Sequence, residues 1–171
     1  MSLRRRFLAI ASLACVIAVS SALAGGQAQA RPTTPLTGHF PIEEHFAVLE
    51  PESTECGFPI SLDFTGQGTF QVFFDAQGNM VRIHALEHIT GTLSANGIAL
   101  GFMGSDNQFF DLDGTVTEVG LVFRYALPGL GVVLMDRGRL IFDGDGQVLF
   151  EAGPHPGLHG DLGGTCAALT P

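Results

Sequence analysis

The chain has no tryptophan, no lysine and a single tyrosine, Tyr125. Lacking lysine, it carries fixed positive charge only on eight arginines, and Arg4, Arg5 and Arg6 sit together near the N-terminus. From Arg31 onward five arginines stand against all seventeen Asp and Glu residues, a formal net charge of −12. A domain that acidic repels phosphate backbones and anionic lipid, so neither nucleic acid nor a membrane is an expected partner. The plain reading of the charge is solubility of an exported protein.

Other absences narrow the chemistry. No G-x-S-x-G, H-E-x-x-H, phosphate loop or dinucleotide fingerprint occurs. After residue 30 the only serines are Ser53, Ser61, Ser94 and Ser105, none in a triad-like context. Asp143-Gly144-Asp145 opens like a calcium loop, but Val148 stands where the sixth-position glycine belongs, so it reads as a turn. His84 and His88 are four apart on a strand, about 13 Å along the chain, too far to share a metal. His155 and His159, with Asp161, form a weaker loop candidate; no metal and no cofactor are expected. No long amphipathic helix pattern appears anywhere.

Three segments emerge. Arg4 to Arg6, the apolar run Phe7 to Val19 and the small-x-small triplet Ala28-Gln29-Ala30 read as a signal peptide over 1–30, cleaved after Ala30. Residues 31–38, rich in Pro and Thr, read as a tail outside the fold. Residues 39–171 read as one β domain, long enough to bury a core. Two of the three cysteines, Cys56 and Cys166, follow the signal segment. An even pair in an exported protein is most simply one disulfide, here fastening the first and last strands.

What the domain does have is alternation. Phe70, Val72 and Phe74 alternate with Gln71 and Phe73. Ile98, Leu100 and Phe102 alternate with Ala99 and Gly101. Val119, Leu121, Phe123, Tyr125 and Leu127 share one parity, with Val122 the large apolar exception on the other. Phe40, Ile42, Phe46 and Val48 share a face with Glu44. Breaks are read at Gly66 and Gly68, at the polar run Ser105 to Gln108, and at Met135 to Gly138. Asp75 to Gly78, Asn96-Gly97, Asp111 to Gly114 and Asp143 to Gly146 are hairpin turns. The expectation is an all-β antiparallel meander of about eight to ten strands, ending in a short helical turn capped by Asp161. Closure into a barrel would hide the sheet edges; a β-sandwich is the alternative.

Glu87 is the outlying residue. It lies on the apolar parity of Val81, Ile83, Ala85 and Ile89. Either it faces the interior, where desolvation makes it a usable acid or base, or a bulge at Leu86-Glu87 turns it to water. Arg82 and His84 are its nearest polar neighbours in sequence, but on the opposite parity.

Glu55-Cys56-Gly57-Phe58-Pro59, the C-terminal Cys166-Ala167-Ala168-Leu169 and the stretch Gly138 to Gly146 resemble a group of uncharacterised exported β-rich proteins of actinobacteria. That resemblance implies no activity and transfers no site residue. The architecture also resembles calycin and allene-oxide-cyclase-like barrels, in outline alone. Three functions remain open: binding of a small apolar molecule, with Phe70, Phe74, Phe123 and Tyr125 as lining; a cyclase- or isomerase-type enzyme with Glu87 as its acid or base; and a pocketless structural or interaction protein of the cell envelope.

Overall fold

A computed structural model describes residues 34–171 of the chain. The signal peptide expected over 1–30 lies outside the described residues. Seven antiparallel strands form one meander sheet in the order of the chain: β1 (Leu36–Phe46), β2 (Ser61–Phe74), β3 (Met80–Ala95), β4 (Ile98–Asp111), β5 (Val116–Leu127), β6 (Gly131–Phe142) and β7 (Val148–Ala152). Two short helices complete it, α1 (Glu52–Cys56) and α2 (Gly163–Ala168). The all-β meander is as expected, but the closed barrel is not. β1 pairs only with β2 and β7 only with β6, so the sheet is not closed.

Seven strands replace eight to ten because three apparent breaks are strand interior. β2 runs through Gly66 and Gly68, whose inner sides are taken by neighbours: a Cβ on Gly68 would lie 2.0 Å from the Phe40 ring. β4 runs through Ser105 to Gln108, with Asp106 and Gln108 on the buried side. β6 runs through Met135 to Gly138, with Asp136 facing in. β1 begins at Leu36, inside the segment read as a tail, and ends at Phe46. Val48, expected on the buried face, is therefore beyond the strand and exposed, while Leu49 is buried.

The turn chemistry is as expected. In each Asp-to-Gly turn the glycine N–H donates to the aspartate carbonyl, at 3.0 Å for Gly78, 3.1 Å for Gly114 and 2.9 Å for Gly146. The Asp75 and Asp143 side chains also accept backbone N–H groups two and four residues on, which ties down the loop. Asn96-Gly97 has both residues at positive φ, the two-residue hairpin turn its sequence favours.

The core lies on one face of the sheet in two clusters. The larger holds Leu62, Phe64, Leu93, Leu100, Phe102, Phe123, Tyr125 and Leu134, with Leu49, Leu162 and Leu169 from the connections. Its rings form a chain: Phe64–Phe102 centroids are 5.5 Å apart, Phe102–Tyr125 5.9 Å and Phe123–Tyr125 5.2 Å. The smaller, at the other end of the strands, holds Phe40, Phe70, Val72 and Ile83, with Leu36, Phe74, Met80 and Phe110 half-buried around it. The helices cover only the first end. There Cys56 and Cys166 form a disulfide with a Cα separation of 5.1 Å, and Asn96 donates to the Leu169 carbonyl at 3.0 Å. The bond thus joins α1 to α2, rather than fastening β1 to β7. Asp161 does not cap α2: its N-cap is Leu162, with no side-chain bond.

Candidate functional site

Between the two apolar clusters the inner face carries a belt of carboxylates. The β3–β4 register sets Glu87 directly opposite Asp106 and Ala85 opposite Gln108. The β4–β5 register sets Gln108 opposite Glu118 and Asp106 opposite Gly120. Glu87, Asp106, Gln108 and Glu118 are 7, 3, 5 and 7 % exposed. The β2–β3 and β3–β4 registers are regular at Leu86-Glu87, so the alternative that put Glu87 in water is corrected: there is no bulge there.

Glu118 reaches the interior because the bulge lies elsewhere. In both ladders of β5 the register shifts around Val122, between Leu121 and Phe123 toward β6 and opposite Met103 to Ser105 toward β4. One extra residue swaps the faces, so even positions point in before it and odd positions after it. Hence Glu118 is buried and Val119 is 37 % exposed, the reverse of the single parity read across β5, while Phe123 and Tyr125 face in as expected.

The belt is only partly satisfied. Gln108 Nε2 donates to Asp106 Oδ2 at 3.0 Å and reaches Glu87 Oε2 at 3.5 Å. Glu118, opposite Gln108 on β5, lies within reach of Asp106 and helps to hold it. Glu87 Oε1 and Gln108 Oε1 are buried without a hydrogen-bond partner. Burial, and secondly the Asp106 charge, push the Glu87 carboxyl up to about 7. Burial raises Asp106 too, with the bonds from Gln108 and Glu118 opposing it.

A second polar island lies under the helices. Asp136 Oδ1 and His155 Nδ1 are 3.0 Å apart, both side chains fully buried. Tyr125 is held well above its ordinary value by burial and then by the charges of Glu52 and Asp136. Glu52, on α1, is raised to about 7, chiefly by burial, and its Oε2 has no partner. The side chains of this island are wholly buried, whereas on the belt Gln108 is two residues along β4 from the half-buried Phe110.

The other residues singled out from sequence do not converge. Arg82 is on the outer face, paired with Asp111 through Nε at 2.6 Å, and His84 stacks on Phe109 with its Nε2 3.0 Å from Asn107. Phe70 and Phe74 lie at one end, Phe123 and Tyr125 at the other. His155 turns inward to Asp136 while His159 pairs with Glu151 at 2.8 Å on the surface. Among the described residues no three His, Cys, Asp or Glu side chains are grouped to hold a metal ion. Asp106, Gln108, Glu118, Glu52 and Asp136 were not anticipated. For Asp106 and Gln108 the signal was present: they continue the even parity of Leu100 and Phe102.

No family model, curated protein or solved structure matches the chain.

Proposed function

We propose that the protein is an exported binding protein for a small molecule with an apolar body and an ammonium or other strong hydrogen-bond-donating end. The observation that carries this is the pair of unpartnered acceptors, Glu87 Oε1 and Gln108 Oε1, inside the sheet. A buried acceptor without a donor costs about 1–3 kcal/mol, which a donating ligand recovers. Gln108 Oε1 can only accept, and Glu87 Oε1 accepts once its carboxyl ionises, so the ligand must donate. Glu87 and Asp106, neighbouring carboxyls whose side-chain bonds come from the neutral Gln108, favour a cation. The apolar body would lie against Phe70 and Phe74, beside the half-buried Leu36 and Phe110. The ring chain of Phe123 and Tyr125 is packed solid and is left out of the site. Export is supported by the disulfide, which belongs to an oxidising compartment.

Calorimetry with 2-phenylethylamine and its anionic counterpart 3-phenylpropionate tests the reading. The amine binds, at least tenfold more weakly to Glu87→Gln, and more tightly as pH rises past 7 and Glu87 ionises. Equal binding of the two compounds, or none of the amine, rejects it. A second reading, a proton-transfer enzyme, is favoured by a Glu87 carboxyl poised near 7, where an acid–base group works best. In that case Glu87→Gln abolishes turnover of a bound substrate without abolishing its binding.

A further inference from the structure

The outer face of β5, β6 and the chain after β7 holds a feature of opposite charge. Four arginines are among the described residues, and Arg124, Arg137 and Arg139 all lie on β5 and β6. The β5–β6 register sets Val119 beside Arg139, Leu121 beside Arg137 and Arg124 beside Met135. Beside them lies a hollow of about 710 Å³, lined by Val119, Leu121, Met135, Arg137, Arg139 and Pro154. The hollow follows a crease in the backbone. Gly120, Gly138 and Gly153 all line it, with φ of 137, 133 and 112°. A side chain at Gly138 would sit 2.1 Å from the Ala152 carbonyl oxygen, so the crease requires glycine. Arg137 and Arg139 are exposed and enter no ion pair among the described residues; Arg139 lies over the Phe150 ring at 5.7 Å.

We infer that this crease binds a single-chain anionic amphiphile, its carboxylate held by Arg137 and Arg139 and its chain laid over Val119, Leu121 and Met135. The argument is charge complementarity. In a domain of seventeen acids, two of the four described arginines line this hollow, and a third, Arg124, stands opposite its Met135. Arg offers a planar fork that takes a carboxylate in two parallel bonds. The size matches small-ligand hollows rather than a protein interface. The inner carboxylate belt selects a cation, so the two sites respond oppositely to ligand charge.

Titration with dodecanoate, dodecanol and dodecyltrimethylammonium tests this on the intact chain. Dodecanoate binds with one equivalent per chain, dodecanol and the cation at least tenfold more weakly. R137Q/R139Q, two exposed changes that spare the core, weakens dodecanoate tenfold or more, and Glu87→Gln leaves it unchanged. No dodecanoate binding, equal binding of the cation, or binding indifferent to R137Q/R139Q overturns the inference. So does dodecanoate binding lost in Glu87→Gln alone, which would put the ligand inside the sheet. Self-association abolished by R137Q/R139Q, without dodecanoate binding, would instead make the crease a contact for a second acidic copy. Failure of 2-phenylethylamine at the inner belt leaves this result intact.

Discussion

Glu87 shows what one buried carboxyl does to stability. Its carboxyl stands at about 7 in the fold against an ordinary 4.5, and Glu52 stands at a similar height from burial on α1. Below pH 4.5 both folded and unfolded chains hold these protons, and the stabilising contribution is full. Between 4.5 and about 7 the unfolded chain releases them while the folded chain keeps them, so stability falls as pH rises. Through the folded value the loss is complete, on the order of 3 kcal/mol for one such group. Asp75 and Asp113, whose hydrogen bonds hold them below the usual range, act only in more acid solution and do not mask the trend. The melting temperature should therefore be higher at pH 5 than at pH 8, and Glu87→Gln should remove part of that slope. A flat profile for wild type would mean that the belt is solvated.

At the scale of elements, the strands were legible wherever side chains are apolar and alternate without interruption. β3 reads correctly from Ile83 to Ala95 because every inner position but Glu87 and Gly91 is apolar. Three other strands were cut short by composition. Gly66 and Gly68 look like a turn, yet they are the places where Phe40 and Ile89 press on the backbone of β2. Ser105 to Gln108 and Met135 to Gly138 look like loops because buried polar residues share their composition with turns; only parity separates them. The face exchange at Val122 depends on two ladders at once, and a local pattern cannot encode it. The belt was therefore half visible: Glu87 stood out, while Asp106, Gln108 and Glu118 needed the register. The crease glycines give a direct check on this placement. Gly138→Ala should destabilise the fold by about 2–3 kcal/mol, since its Cβ meets backbone that cannot yield. Gly101→Ala, where the nearest atom is 3.7 Å away, should change stability by less than about 0.5 kcal/mol. Equal effects in urea melts would refute the β6–β7 geometry.

For the molecule as a whole, the two ends of the sheet are held by different means. One end is closed by α1, α2 and the Cys56–Cys166 bond; the other has only the sheet's own apolar rim. A bond across 110 residues removes much of the unfolded chain's freedom, which the loop-entropy account puts at about 4–5 kcal/mol. Cys56→Ser/Cys166→Ser should lower the urea midpoint accordingly, but the damage should be local. Nothing in the β3–β4 ladder depends on the bond. Its amides, including those flanking Glu87 and Asp106, should keep their hydrogen-exchange protection relative to global unfolding. The segment from Gly153 to Leu169 is held mainly by the packing of Leu162 and Leu169, by the Asp136–His155 bond and by the Asn96–Leu169 bond. It should exchange faster than the rest. The pH slope gives an independent measure of the same division. Glu52 lies on α1, which the disulfide ties to this segment, so once the segment frays it should return toward ordinary carboxylate behaviour, whereas Glu87 should not. The double variant should then keep the share of the slope that Glu87→Gln abolishes and lose the share that Glu52→Gln abolishes. Loss of both shares together would mean that the two ends of the sheet unfold as one unit, and the separate roles assigned to them would fall.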